Sequence, residues 1–268
     1  MSDSIPKISI ITVCYQAGHL LRKTIDSVLE QTYKSIEYII IDGASKDSTV
    51  ELVNSYRNRI SCFISEPDNG LYEAMNKGIQ LATGDIVLFL NAGDYLITKD
   101  AIQFSISKMN FAQAQIFFGR FIWNDPITQD IVLSNHDWVT FTWDLQESNF
   151  PHPATFYKRH LFESIGVFDT SYWLGADYEW NMRALIKNKI SFQYINIATT
   201  VFFADGLSNQ KENAEVCIEE NQRIFNAYLK PQWIYKLGFK HNGSDFNRGY
   251  YQKLIAKIYQ CRLKRVYW

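Results

Sequence analysis

Acidic residues placed just beyond apolar runs are the first features of this 268-residue chain whose type and spacing suggest chemistry. Asp42 follows Ile36 to Ile41, Asp68 lies in the polar turn Ser65-Glu-Pro-Asp-Asn-Gly70, and Asp94 closes Asn91-Ala-Gly-Asp94 after Ile86 to Leu90. An acid at the tip of a parallel strand, followed by a glycine that lets another molecule approach the backbone, can hydrogen-bond a base or a ribose. Taken singly, such an acid can equally cap the next helix. Three of them on one sheet edge are a different matter. They repel one another unless a cation or hydrogen-bond donors neutralise them, and a hard divalent ion holding a diphosphate would do so.

These acids need a scaffold, and the apolar periodicity describes one. Ile8 to Val13, Ile36 to Ile41, Cys62 to Ile64 and Ile86 to Leu90 read as strands. Leu20, Leu21, Thr24, Ile25, Val28 and Leu29 recur at helical spacing after the first strand. A helix capped by Asp47 or Ser48 carries Val50, Val53 and Tyr56 after the second, and Leu71 to Ala82 forms a third that stops near Gly84. Strands alternating with such helices imply right-handed crossovers and a mainly parallel, Rossmann-like sheet with ligands at the carboxyl ends of its strands. After Asp94 the pattern changes. A helix over Asp100 to Met109, strand-like Gln115 to Trp123, a turn at Asn124-Asp-Pro126 and the run Ile131 to Leu133 predict a small antiparallel extension. Asn149-Phe-Pro-His-Pro153 is too rich in proline for a helix interior, and its two prolines predict an extended backbone at His152. Helices over Leu161 to Ile165, Tyr178 to Lys187 and Glu212 to Tyr228 and a strand over Phe192 to Phe203 complete the α/β pattern.

Composition narrows the class. A chain that is 47% apolar and 15% aromatic can bury a full core, whereas its apolar runs fall far short of a membrane span. Cys14, Cys62, Cys217 and Cys261 form no C-x-x-C pair, which argues against a zinc site or a disulfide framework. The opening residues lack a basic stretch leading into an apolar core, so a cytoplasmic location is expected. The formal charge of −1 conceals an asymmetry. Residues 230–268 hold nine Lys and Arg against Asp245 alone, interleaved with Trp and Tyr. Such a tail suits either an anionic membrane face or a helical appendage packed on the domain. The acidic remainder would repel nucleic acid. A dinucleotide fold would need G-x-G-x-x-G after the first strand, where Gly18 stands alone.

The combination Ser9-Ile-Ile-Thr-Val13, Ile41-Asp-Gly-Ala-Ser-Lys-Asp-Ser-Thr49, Ser65-Glu-Pro-Asp-Asn-Gly-Leu-Tyr-Glu-Ala-Met-Asn-Lys-Gly78 and Phe89-Leu-Asn-Ala-Gly-Asp94 resembles the family-2 glycosyltransferases, whose fold is GT-A. The resemblance is greatest to the bacterial enzymes of colanic acid, capsule and O-antigen assembly. It continues through Pro151-His-Pro-Ala-Thr-Phe156, Gly175-Ala-Asp-Tyr178 and Phe202 to Ser208, covering roughly residues 7–210. It implies a donor site of Thr12, Val13, Tyr15, Asp42, Gly43, Asp68, Asn69, Asn91 and Ala92, in which Thr12, Tyr15 and Asp42 hold the nucleobase and ribose. Asp94 would bind a divalent cation, Mn²⁺ or Mg²⁺, beside the diphosphate. Two positions depart from the commonest pattern: Asn91 replaces an Asp that often touches the ribose, and Gly93 replaces an Asp that often binds the metal.

By the same resemblance Asp177 is the general base, accepting a proton from the acceptor hydroxyl as that oxygen attacks the anomeric carbon. Glu179 is its neighbour, but in a helical start the two point about 200° apart and cannot serve one hydroxyl. His152 would contact the acceptor or a phosphate, or be a buried, hydrogen-bonded imidazole. Trp173 and Trp180 would stack on sugar rings or pack in the core, and Asp205 would begin a lid. The expectation is an inverting transferase using a nucleoside-diphosphate sugar and a glycan or lipid-linked acceptor in surface polysaccharide synthesis, at the inner membrane face. Residues 1–98 would form the nucleotide-sugar half, 99–229 the acceptor half and 230–268 a helical tail. The alternative is a non-catalytic nucleotide-sugar-binding or membrane-assembly module on the same fold.

Overall fold

All seven residues of β1 (Ile8–Cys14) are buried, which is why this run is apolar on both alternating faces. The computed structural model describes residues 5–124, 129, 131–134, 149–204, 206–207 and 210–228. After β1 come α1 (Gly18–Leu29), β2 (Ile36–Asp42), α2 (Thr49–Ser55), β3 (Cys62–Ser65), α3 (Leu71–Leu81) and β4 (Ile86–Phe89). β1 pairs parallel with β2 and β4, and β2 pairs parallel with β3, as the strand and helix alternation predicts. Ile11 and Val13 face one core layer with α3, while Ile8 and Ile10 face a second with Leu21, Ile25 and Val28 of α1. Of the two capping candidates before α2, Asp47 acts: its carboxylate accepts from the Thr49 N–H at 3.1 Å, and Ser48 makes no cap bond.

The second part comprises β5 (Tyr95–Leu96), α4 (Ala101–Lys108), β6 (Ile116–Asn124), β7 (Ile131–Leu133), β8 (Thr155–Lys158), α5 (His160–Ser164), α6 (Ala176–Met182), β9 (Phe192–Phe203) and α7 (Ala214–Tyr228). One mixed sheet runs in the order β3-β2-β1-β4-β8-β6-β9-β5, with β7 beside β6. β8 joins β4 antiparallel, and β6 is antiparallel to both β7 and β8. β9, in contrast, lies parallel to β6 with a register break around Gly119. A side chain at Gly119 would begin 2.5 Å from the Ile197 carbonyl oxygen, so glycine lets the two strands approach there. Among the described residues no helix is long and apolar enough to cross a membrane. The predicted turn after Asn124, the Asp205 loop and the 230–268 tail lie outside the described residues.

Candidate active site

The tips of β1, β2 and β3 finish level, with Cys14 beside Asp42 and Asp42 beside Ser65. Asp42 is fully buried. Its Oδ2 accepts from the Ser45 N–H at 3.0 Å and the Ser65 hydroxyl at 2.6 Å, and its Oδ1 accepts from the Ser45 hydroxyl. These donors satisfy a group that burial would otherwise leave unpaired, and they shape the loop after β2. A methyl group at Gly43 would lie 2.9 Å from Asp68 Oδ2 and 3.2 Å from the Tyr15 ring, so three of the predicted donor residues meet here and a side chain at Gly43 would have to move the Asp68 carboxylate. Asp68 Oδ1 accepts from the Gly70 N–H at 2.9 Å, and Gly70, at φ 128°, turns the chain into α3.

Beyond β4 the chain continues beside β1, with the Leu90 N–H donating to Ile11 O at 2.9 Å and the Ala92 N–H to Val13 O at 3.2 Å. Asp94 then turns inward, and its Oδ1 accepts from the Phe203 N–H of β9 at 3.0 Å. Burial pushes its carboxyl up to about 8, against the pull of that bond. His152 stands opposite in a single 3₁₀ turn (His152–Ala154), closed by the Ala154 N–H on Pro151 O at 2.8 Å. The expected extended backbone therefore ends at Pro151, because the fixed φ of proline suits such a turn as well as a strand.

His152 links the two halves of the cleft. Its Nε2 accepts from Asn91 Nδ2 at 3.1 Å and lies 3.9 Å from Asp94 Oδ2, while its Nδ1 lies 3.9 Å from Asp177 Oδ2. Burial lowers the imidazole pKa, with Asp177 opposing, so the ring is neutral at physiological pH. Asn91 Oδ1 is buried without a hydrogen-bond partner among the described residues. An orphaned amide oxygen beside a carboxyl that holds its proton is a place short of positive charge, and a divalent cation fits it. No group of three or more His, Cys, Asp or Glu among the described residues could hold a metal. The chain would thus offer Asp94 and Asn91 oxygens and leave the remaining positions to phosphate and water, an arrangement natural to Mg²⁺.

Asp177 lies in the first turn of α6, whose N-cap is Gly175, so it is not the helix cap. Its Oδ1 accepts from the Tyr72 hydroxyl at 2.7 Å and the Tyr178 N–H at 2.9 Å, and its Oδ2 from Asn149 Nδ2 at 2.7 Å. A carboxylate has about four acceptor positions. Among the described residues, these donors leave one free on the oxygen that faces His152. The preceding loop is pinned from α7: the Glu220 carboxylate accepts from the N–H groups of Trp173, Leu174 and Gly175 at 2.6, 2.9 and 2.8 Å. Trp173 is half exposed, and its ring edge would lie 3.9 Å from a Cβ placed on Gly70.

Residues 9–177, the span from β1 to the Asp177 carboxylate, match the family model described as Glycosyl transferase family 2. The chain belongs to that family. This glycosyltransferase is 30% identical over 213 residues to a PGL/p-HBAD biosynthesis glycosyltransferase of Mycobacterium bovis, covering 76% of this chain and 80% of that one. Among solved structures, the mannosyltransferase PcManGT from Pyrobaculum calidifontis, in complex with GDP-Man and Mn²⁺, matches with a TM-score of 0.65 at 15% identity, over 98% of this chain and 76% of that one. S. aureus TarS matches with a TM-score of 0.61 at 16% identity, over 87% of this chain. The chain spans about half the length of that TarS structure, 48%. At such identities the likeness speaks for the fold alone, and the fold is GT-A.

Several residues of the glycosyltransferase stand differently from the sequence expectation. The Thr12 hydroxyl is fully buried, donates to Leu90 O at 2.7 Å and pairs with the Tyr38 hydroxyl at 3.1 Å. Its side chain therefore ties β1 to the chain beyond β4 and does not reach the cleft. Asn69 gives its side-chain and backbone N–H groups to Glu73 Oε2 at 2.6 and 3.2 Å, serving the start of α3. Of its two expected roles Trp180 takes the core one: it is fully buried, donates to Gly166 O at 2.6 Å and packs 4.7 Å from the Phe162 ring. Glu179 follows the expectation: it is buried against Arg183 and Tyr228, turned away from Asp177. Sequence reasoning passed over Tyr72, Asn149, Asn181 and Glu220. Only Asn181 left a signal, four residues after Asp177 on one helix face.

Proposed function

We propose that this glycosyltransferase moves one sugar, with inversion, from a nucleoside-diphosphate donor to a hydroxyl of a glycan or lipid-linked acceptor, in the assembly of a bacterial surface polysaccharide. The observation that carries the reading is the convergence of Asp177 with Asn91 and Asp94 on the two nitrogens of one imidazole. Transfer needs a base on one side of the anomeric carbon and stabilisation of the departing diphosphate on the other, and these residues lie on the two sides of His152.

In this reading the nucleoside lies against Tyr15, Gly43 and Asp68, and the diphosphate points to Asn91 and Asp94. Asp177 Oδ2 takes the proton of the acceptor hydroxyl as its oxygen bonds to the anomeric carbon, and the bond from that carbon to the diphosphate oxygen breaks. Oδ1 is held by the Tyr178 N–H and by the Tyr72 hydroxyl, which it shares with Leu174 O, so the proton goes to Oδ2, the oxygen that faces His152. A divalent cation, when bound by Asp94 and Asn91, would offset the charge that develops on the diphosphate. TarS has been solved with UDP-GlcNAc and PcManGT with GDP-Man and Mn²⁺, which supports a nucleotide-sugar donor and a metal for this chain. The basic, aromatic tail supports attachment to an anionic membrane face, where a lipid-linked acceptor would be found.

Asp177→Asn is expected to lower turnover by roughly 10² to 10⁴, the range contributed by a positioned general base, while nucleoside-diphosphate binding measured by thermal shift survives. Unchanged turnover would remove Asp177 from the role.

A further inference from the structure

Asp177 and Asn181 are four residues apart on α6 and therefore share a face. Asn149, which precedes the His152 turn, lies between their side chains. Its Oδ1 accepts from Asn181 Nδ2 at 2.7 Å, and its own Nδ2 donates to Asp177 Oδ2 at 2.7 Å. Behind them the buried Tyr157 hydroxyl donates to Asn181 Oδ1 at 3.3 Å. Asn181 is itself 3% exposed, and its bond toward Asp177 runs through Asn149.

We propose that Asn181 and Asn149 are positioning residues that form a directional amide relay, from the Tyr157 phenol in the core to the Asp177 carboxylate in the cleft. An amide group has a donor end and an acceptor end, so one orientation dictates the next. The Asp177 carboxylate only accepts, which points Asn149 Nδ2 at it; Asn149 Oδ1 then faces Asn181 Nδ2, and Asn181 Oδ1 is left to accept from the Tyr157 hydroxyl. The relay fixes the rotation of the carboxylate and keeps a donor on one lone pair of Oδ2, leaving the other for the acceptor hydroxyl. It does so without a cation. A guanidinium or ammonium in the place of Asn149 would weaken the basicity of a carboxylate by about ten- to a thousandfold. The positioning role rests on reading Asp177 as the base, whereas the relay requires only that residue 177 end it as an acceptor.

The test exploits that direction. In the full chain, Asn181→Asp presents acceptors to Asn149, which must reverse and set its oxygen against Asp177, so the melting temperature falls. Combining it with Asp177→Asn supplies a donor at 177, and both bonds of Asn149 can re-form in the opposite sense while Tyr157 goes on donating to residue 181. The double variant is therefore expected to melt above the value obtained by adding the two single losses. Additive losses, or a double variant that does not fold, would overturn the relay.

The positioning role is read separately, as nucleoside diphosphate released from UDP-GlcNAc and from GDP-Man. Asn149→Ala is expected to lower kcat about tenfold or more, with the nucleotide-sugar KM within about twofold. An unchanged kcat, on a donor for which Asp177→Asn is inactive, overturns the positioning role while leaving the base intact. Full activity of Asp177→Asn would instead show that the underlying reading had failed.

Discussion

Asp94 holds a carboxyl where burial favours the protonated form, and this has a measurable cost at neutral pH. Its folded-state pKa of about 8 lies above the ordinary 3.8, so its contribution to stability is complete below about pH 4 and is lost as pH rises toward 8. Metal-free protein is therefore expected to melt at progressively lower temperature from about pH 5 to pH 8, and Asp94→Asn should flatten that slope. A slope unaffected by the substitution would assign the titration elsewhere. Excess EDTA is expected to abolish transfer, and full activity in its presence would show that Asp94 does not serve a metal. At this scale the sequence was informative about acids and nearly silent about their partners. Asp42 and Asp94 stand out by position, and Asp177 only by the family resemblance. Tyr72, which donates to Asp177 across 105 residues of chain, is one tyrosine among 16 until the fold places it.

The elements matter chiefly through the loops they hold in place. Glu220 reaches from α7 to three successive N–H groups ahead of α6, so the loop that aims Trp173 and Asp177 depends on a helix remote in sequence. Glu220→Ala is expected to destabilise by about 1–3 kcal/mol, the cost of leaving such donors unpaired, and to speed amide exchange at residues 173–175. Exchange rates equal to those of the wild type would mean that the loop holds itself. Gly43→Ala must displace the Asp68 carboxylate, and nucleoside-diphosphate affinity should fall by about tenfold, or about 1.4 kcal/mol. Unaltered affinity would place the nucleoside away from Gly43. The elements up to Asp94 were legible because two-residue and 3.6-residue periods are local properties. The parallel pairing of β6 with β9 was not, since it joins Ile116 to Phe192 through a register that no local pattern encodes. The antiparallel extension read from the sequence is accordingly only part of that region.

Charge and continuity belong to the whole molecule. The tail of net +8 against a remainder of −9 predicts that removing residues 230–268 weakens binding to anionic vesicles, and that raising the salt concentration weakens binding of the intact chain. Equal binding after truncation would leave the tail a packing element. The sheet bears on how substrates come and go. β4 pairs with β1 along one edge and with β8 along the other, so the strand that leads to Asn91 is bonded directly to the strand that follows His152. An enzyme with donor and acceptor residues on two hinged lobes can gape to release its product. Here a ladder of backbone bonds runs unbroken from β1 through β4 to β8, so the cleft is floored by one continuous sheet and a hinge between these strands would have to break it.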